Sequence, residues 1–147
     1  DLHVMAHSFP TRRSSDLLKG AYIISDSKKE VPDAIIIATG SEVQLGIGAQ
    51  EELSKEGIDV RVVSMPSMDV FEEQSDEYKE SVLPKSVRAR VAVEALSRFG
   101  WDKYVGLDGA IVAMNGFGAS APANVLFKKF GFTVEKVVKA VKSTVNK

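Results

Sequence analysis

A glycine-rich segment near residue 116 is the part of this sequence most suggestive of chemistry. Gly116–Ala121 matches G-x-G-x-x-A, the pattern of dinucleotide-binding turns. The segment follows a predicted strand and precedes a predicted helix, as that pattern requires. A dinucleotide site also needs a following strand that ends in an acidic residue about 20 residues on. Glu135 has this spacing but lies at the start of a predicted helix, so we favour a structural turn.

A second turn, Thr39–Glu42, also joins a predicted strand to a predicted helix. Backbone N–H groups at a helix N-terminus attract anions, and the carboxyl ends of sheet strands are common ligand sites. The two turns together define one candidate anion or ligand site at the sheet edge, made of Gly40, Ser41, Glu42, Gly118 and Ser120. Because Glu42 would repel a phosphate, we favour a capping role, with Ser41 as the helix N-cap.

Carboxylates are the remaining candidates for acid-base catalysis. The five considered are Asp26, Asp69, Glu94, Asp102 and Asp108. No spacing among them places two on one element at a pocket. Glu94 is the most interesting because it lies near the end of an apolar strand, yet a hydrogen bond from a neighbouring loop explains it more simply. We therefore assign no catalytic, cofactor-binding or metal-binding residue.

Histidine and cysteine chemistry is almost excluded. The 147 residues include no cysteine and two histidines, His3 and His7, and two ligands fall short of the usual three or four of a metal site. Without histidine beyond residue 7, a serine-histidine triad is impossible there. Residues 1–18 have no periodic pattern, and their Arg12-Arg13 pair lacks the apolar stretch of an export signal. We predict a non-native or disordered segment at 1–18 and a single domain at 19–147.

Charge and hydropathy exclude further classes. The net charge is -1, from 19 basic and 20 acidic residues, which argues against a nucleic-acid partner. No apolar run is long enough for a membrane helix, so we expect no membrane partner and a cytoplasmic location. Arg88, Arg90 and Arg98 could form a small anion-binding face, although a partner-facing or solvated role is favoured. The lysines of the last predicted helix are expected to form a solvated face.

The pattern of apolar residues predicts an α/β domain. Asp33–Thr39 is a continuous apolar run, typical of a parallel strand buried on both faces. A helix from Ser41 to Glu56, ended by Gly57, and a strand at Ile58–Ser64 complete a βαβ unit, with Glu51 and Lys55 paired on the helix. The other predicted elements are strands at 20–25, 87–95 and 110–114, short helices at 67–71, 77–83 and 101–105, and two closing helices, one from Ser120 through Phe130 and one capped by Thr133. The predicted fold class is a three-layer α/β/α domain with a mostly parallel mixed sheet of about five strands.

Eight short segments resemble the C-terminal domain of transketolases. They are Ala38–Leu45, Val60–Ser67, Ser81–Pro84, Arg90–Ala95, Phe99–Trp101, Tyr104–Gly109, Phe117–Pro122 with Leu126-Phe127, and Phe130–Thr133. These segments occur in the order and spacing of the family, and the resemblance extends from Lys19 to about Val145. It thus covers nearly the whole predicted domain.

The resemblance implies an accessory domain of a truncated enzyme. Transketolases transfer a two-carbon ketol unit between sugar phosphates in the pentose phosphate pathway, using thiamine diphosphate and a divalent metal, Mg or Ca. In that family the first two domains hold the cofactor across a homodimer interface, and none of their motifs occurs here. We expect this fragment to lack cofactors and activity, with the remaining transketolase domains as its partners. The alternatives are a self-standing small-ligand-binding or regulatory α/β module, and a purely structural assembly domain.

Overall fold

The computed structural model describes residues 18–40, 42–94, 100–113 and 123–146, with the backbone alone for 113 and 123–132. These residues form five strands and five helices. In chain order they are β1 (Tyr22–Ser25), β2 (Ala34–Ala38), α1 (Glu42–Lys55), β3 (Val60–Ser64), α2 (Met68–Glu72), α3 (Asp76–Val82), β4 (Arg90–Glu94), α4 (Asp102–Val105), β5 (Ala110–Ala113) and α5 (Ala123–Val145). Residues 1–17 lie outside the described ranges, so the domain boundary at residue 19 stays a prediction.

The five strands form one sheet in the order β1-β3-β2-β4-β5. β2, β3, β4 and β5 run parallel, and β1 joins β3 antiparallel at one edge. In the centre, Ile36 of β2 is opposite Val62 on one side and Val91 on the other. The predicted mixed, mostly parallel sheet of about five strands is confirmed.

Side chains of the central strand enter two separate cores, which makes the fold three layers deep. Ile36 packs on one face with Leu53 of α1 and Val137 of α5. Ile35 and its neighbour Ile37 pack on the other face with residues of α2, α3 and α4, including the large rings Phe71, Trp101 and Tyr104. The predicted α/β/α layering is therefore confirmed.

Two of the predicted capping residues, Gly57 and Ser67, are confirmed, whereas Ser41 and Ser120 lie outside the described residues. Gly57 has φ +81 and ends α1 where predicted, since a left-handed backbone there is easiest for glycine. The Ser67 side chain accepts a hydrogen bond from the Val70 N–H at 3.3 Å and so caps α2. One predicted ion pair is wrong. Lys55 Nζ lies 3.1 Å from the carboxylate of Glu52, the residue next to the expected partner Glu51.

The two predicted closing helices are one continuous helix, which corrects the sequence interpretation. α5 runs for 23 residues, and Thr133, expected to cap a second helix, lies buried within it at 7% exposure. A glycine inside a helix costs about 1 kcal/mol relative to alanine, so Gly131 disfavours the helix without forbidding it. The apolar stripe that includes Val134, Val137 and Val141 packs on the core, and this burial outweighs the local preference.

A buried arginine on β3 joins three parts of the fold, namely β3, α3 and the β1–β2 loop. Sequence reasoning did not identify it. Arg61 lies on β3 with 6% exposure. Its guanidinium donates to Asp26 Oδ1 at 2.8 Å, and to the carbonyl oxygens of Ser81 and Val82 at 3.0 and 3.2 Å. Those carbonyls end α3, where an arginine is electrostatically favourable. Arg61 therefore holds α3 and the β1–β2 loop against the sheet.

Glu72 plays a similar joining role among the three short helices. Its carboxylate accepts a hydrogen bond from the Tyr104 hydroxyl at 2.6 Å, and Lys103 and Lys79 lie 3.4 and 3.8 Å away. The Tyr104 hydrogen bond, followed by the Lys103 contact, lowers the pKa of Glu72 despite some burial. Burial and the same hydrogen bond raise the pKa of Tyr104. The carboxylate thus stays ionised and ties α2 to α3 and α4.

We predict that Glu72→Gln lowers the free energy of unfolding by about 1 kcal/mol at neutral pH, the typical size for a partly exposed charged contact. A lowered pKa stabilises the fold above the ordinary carboxyl pKa of 4.5, and this stabilisation is lost as the pH falls through the folded-state value. Urea unfolding at about pH 7 and about pH 3 should therefore show a difference between wild type and variant that shrinks in acid. The exposed neighbour Glu73, changed to Gln, is the control. An equal difference at both pH values would contradict this role.

Candidate functional site

The carboxyl edge of the sheet is where an α/β fold of this topology normally binds ligands. The chain leaves β2 through α1 to β3 on one side, then returns through α2 and α3 to β4 on the other side of β2. The strand order therefore reverses between β2 and β4, and the crevice outside their carboxyl ends is the usual ligand position. Gly40 follows β2 at this edge, and Glu94 ends β4 there.

In the described part of the predicted turn site, two backbone amides are already hydrogen-bonded. Gly40 has φ +54 and forms the turn, and Glu42 begins α1. The Glu42 N–H donates to the Thr39 carbonyl at 3.0 Å, and the Val43 N–H donates to the Gly40 carbonyl at 3.3 Å. Two amides that could face an anion are thus bound to turn carbonyls.

Three of the five predicted site residues lie outside the described residues. They are Ser41, Gly118 and Ser120. The G-x-G-x-x-A segment at 116–121 falls there as well, so the sheet-edge site as a whole stays a prediction. The structure brings Gly40 and Glu42 together in one turn, and these two residues alone do not form a ligand cradle.

Glu94, the most interesting acid of the sequence, is hydrogen-bonded as the simpler interpretation predicted. The indole N–H of Trp101 donates to Glu94 Oε2 at 2.6 Å. Trp101 is 2% exposed, so its N–H needs a partner within the protein. The carboxylate therefore fixes the segment before α4 to the end of β4. This role is structural.

The other predicted acids lie apart and serve separate contacts. Asp26 binds Arg61, and Asp108 lies 2.6 Å from Arg88 Nε. Asp69 and Asp102 lie in the first turns of α2 and α4, where a negative charge is favourable. Among the residues that the structure describes, no group of three or more His, Asp or Glu side chains could hold a metal ion.

Arg90 does not contribute to the suggested anion-binding face of Arg88, Arg90 and Arg98, of which Arg98 lies outside the described residues. Its guanidinium donates to the carbonyl oxygens of Val87, Tyr104, Leu83 and Pro84 at 2.8 to 3.1 Å. The guanidinium of Arg90 is half-buried, and this burial lowers its pKa. The group still stays charged at neutral pH. The side chain of Arg90 binds backbone carbonyls rather than a ligand. These hydrogen bonds hold residues 84–87 in a turn, so β4 begins at residue 90 instead of the predicted residue 87.

A groove of about 740 Å³ lies between α1 and α5. Six of its nine lining residues are charged: Glu51, Glu52 and Glu56 on α1, and Glu135, Lys139 and Lys142 on α5. Lys142 lies 2.7 Å from Glu56, so one lysine of the predicted solvated face is paired. Ligand pockets are usually apolar with a few convergent polar groups, a lining that this groove does not have.

No helix in the described part of the chain combines the length and the apolar character needed to span a bilayer. The side chains that sequence reasoning missed, Arg61 and Glu72, are also structural. Arg61 had one usable signal, because a charged residue inside an otherwise apolar strand requires a buried partner. Glu72 had none, because its partners Tyr104 and Lys103 lie on a helix that is more than 30 residues away in sequence.

Comparisons with known proteins agree with this architecture. The family model described as "Transketolase-like TK C-terminal domain" matches residues 20–133. The transketolase of Bacillus subtilis (strain 168) is 58% identical over 129 residues, which are 88% of this chain and 19% of that protein.

Solved structures give the same result. The transketolase from Leishmania mexicana superposes with a TM-score of 0.75 at 44% identity, over 94% of this chain and 20% of that one. A structure described as "Split gene transketolase, inactive beta4 tetramer" superposes with a TM-score of 0.60 at 25% identity, over 94% of this chain and 47% of that one. The chain therefore spans about a fifth of the length of the curated relatives it matches. Since the family model covers well over half of its residues, the chain belongs to the transketolase-like C-terminal domain family.

Proposed function

We propose that this chain acts as the C-terminal accessory domain of a transketolase, whose longer polypeptide transfers a two-carbon ketol unit between sugar phosphates. The observation that carries this proposal is the 58% identity over 129 residues to a curated transketolase, in register with the family model. The work of this domain is packing against the remaining domains and supporting the assembly of a cytoplasmic homodimer. The split-gene relative, described as an inactive tetramer, supports separating this part of the enzyme from its activity.

The cofactor of the longer enzyme does not fit the described residues of this chain. In the longer enzyme, thiamine diphosphate would supply the nucleophilic carbon of ketol transfer, together with a divalent metal, Mg or Ca. The described acids are engaged elsewhere: Glu94 with Trp101, Asp26 with Arg61, and Asp108 with Arg88. We therefore assign the cofactor and the metal to the other domains of the longer enzyme, and no step of the reaction to the described residues of this chain.

The contribution of this domain to the enzyme is a rigid surface. Its central strand is buried on both faces, and Arg61 and Arg90 hold loop residues through hydrogen bonds to Asp26 and to the Pro84 carbonyl oxygen. A domain built this way holds loops at defined positions for a neighbouring domain, because little conformational freedom is lost on docking. This property needs no catalytic group.

We expect the purified chain to show no ketol transfer between sugar phosphates, because its described residues provide no cofactor site. A chimaera in which residues 19–147 replace the matching segment of the Bacillus subtilis enzyme should be active and should elute as a dimer on sizing chromatography. The same enzyme without this segment is the control for the contribution of the domain. Ketol transfer by the chain alone would contradict the accessory role, and an inactive, well-folded chimaera would contradict the proposed family function.

The alternative of a self-standing ligand module has one supporting observation, the β2–β4 crevice with Gly40 in a left-handed turn. We expect neither nucleotides nor sugar phosphates to raise the melting temperature of the chain. A ligand at 100 times its dissociation constant would add about 2.7 kcal/mol, which a thermal shift detects readily. Glu42→Gln sharpens the test, because removing a negative charge beside the turn should strengthen any anion binding there. Stabilisation that grows in this variant would favour the module.

A further inference from the structure

The β1–β2 loop, residues 26–33, is held on the domain mainly by polar contacts. Pro32 is its one buried residue, and residues 26 and 28–31 are exposed, with Val31 at 53%. The loop therefore has few apolar contacts to lose when it opens. Segments of this kind open at a small free-energy cost while the rest of a fold stays intact. The hydrogen bonds that close this loop decide how often it opens.

Asp59, in the turn between α1 and β3, makes the central contact with this loop. Its carboxylate accepts hydrogen bonds from two successive backbone N–H groups, that of Lys28 to Oδ1 at 2.8 Å and that of Lys29 to Oδ2 at 2.7 Å. Asp33, at the end of the loop, accepts the Asp59 N–H through Oδ2 at 2.9 Å. Hydrogen bonds to an ionised carboxylate are about twice as strong as neutral ones. We name these three hydrogen bonds the Asp59 latch.

Charged groups from three elements surround the Asp59 latch. They are Asp26, Lys28, Lys29 and Asp33 of the loop, Glu51 and Lys55 of α1, and Arg61 of β3. Arg61 is engaged by Asp26, and Lys55 lies beside Glu52. Lys29 Nζ lies 2.8 Å from Asp33 Oδ1, but the Lys29 side chain is 59% exposed, so solvent screens this ion pair. The hydrogen bonds from backbone N–H groups are therefore the main contacts of the latch.

We propose that the Asp59 latch is an acid-released lock: when its carboxylates take up protons, the β1–β2 loop opens as a unit while both cores stay folded. A protonated carboxyl carries a hydroxyl, which is a donor, in place of one acceptor oxygen. Asp59 then holds one loop amide instead of two. The cores keep their packing, because neither contains an aspartate or a glutamate. This device belongs to the chain itself and does not depend on the proposed function.

The direction of the pH dependence follows from Asp33. Its hydrogen bond from Lys29, followed by that from the Asp59 N–H, lowers the pKa of Asp33. The ionised form therefore favours the closed loop. Closure is complete above the ordinary carboxyl pKa of 3.8 and is lost as the pH falls through the folded-state value. Opening uncovers the peptide bonds after Lys28 and Lys29 and removes one wall of a concavity of about 510 Å³ beside α1.

Trypsin digestion of the folded 147-residue chain tests the latch at neutral pH. Asp59→Asn keeps the size of the side chain and removes one acceptor oxygen, as protonation does. We expect initial cleavage after Lys28 and Lys29 to be about tenfold faster in this variant, which corresponds to about 1.4 kcal/mol. Cleavage after Arg61, which is 6% exposed, reports unfolding of the sheet and should stay unchanged. Asp76→Asn, which removes the same charge at a fully exposed position, is the control. Equal acceleration at Arg61, or none in the loop, would overturn the proposal.

Amide hydrogen exchange tests the release by acid. Protection factors, which correct for the intrinsic effect of pH on exchange, are measured by NMR from about pH 7 to about pH 3. We expect the protection of the Lys28 and Lys29 amides to fall about tenfold in acid, while the amides of β2 stay protected. In Asp59→Asn, protection in the loop should be low at both pH values. Loop protection that persists at about pH 3, or that is lost together with that of β2, would overturn the lock.

Discussion

Burial of the central strand on both faces is the constraint on which the rest of this structure depends. All five residues of β2 have no solvent exposure. Apolar side chains that alternate above and below a sheet need a cover on each side, so helices must pack on both faces. The edges of β2 also need partners, which β3 and β4 provide. The layers, the crossovers and the reversal of strand order all follow from this requirement.

Polar side chains in this domain are mainly used to join elements that the apolar cores leave apart. Arg61 holds a helix end, Arg90 binds four carbonyl oxygens, and Glu72 connects three short helices. Each of these groups has the chemical type that an active site could use. Their hydrogen bonds commit them to the framework, which agrees with the accessory role proposed for this chain.

Elements that are set by local sequence patterns were predicted, whereas features that are set by contacts between distant residues were missed. The apolar run at Asp33–Thr39 was enough for β2, and Gly57 was enough for the end of α1, because each signal lies within the element itself. α5 was predicted as two helices, since the burial of its valines against α1 and the sheet cannot be read from the residues around Gly131. At the candidate site, a hydrogen-bonded role for Glu94 was predicted, but the donor, Trp101, could be identified only from the three-dimensional structure.

The position of β2 also has a consequence for the time at which this domain can fold. Ile36 of β2 is paired with Val91 of β4, which lies about 55 residues later in the chain. During synthesis β2, the most apolar strand, is therefore made well before its second neighbour β4. Contacts of such sequence separation slow folding, because the intervening chain must close a long loop first. Until β4 has left the ribosome, one edge of β2 remains open to the wrong strand.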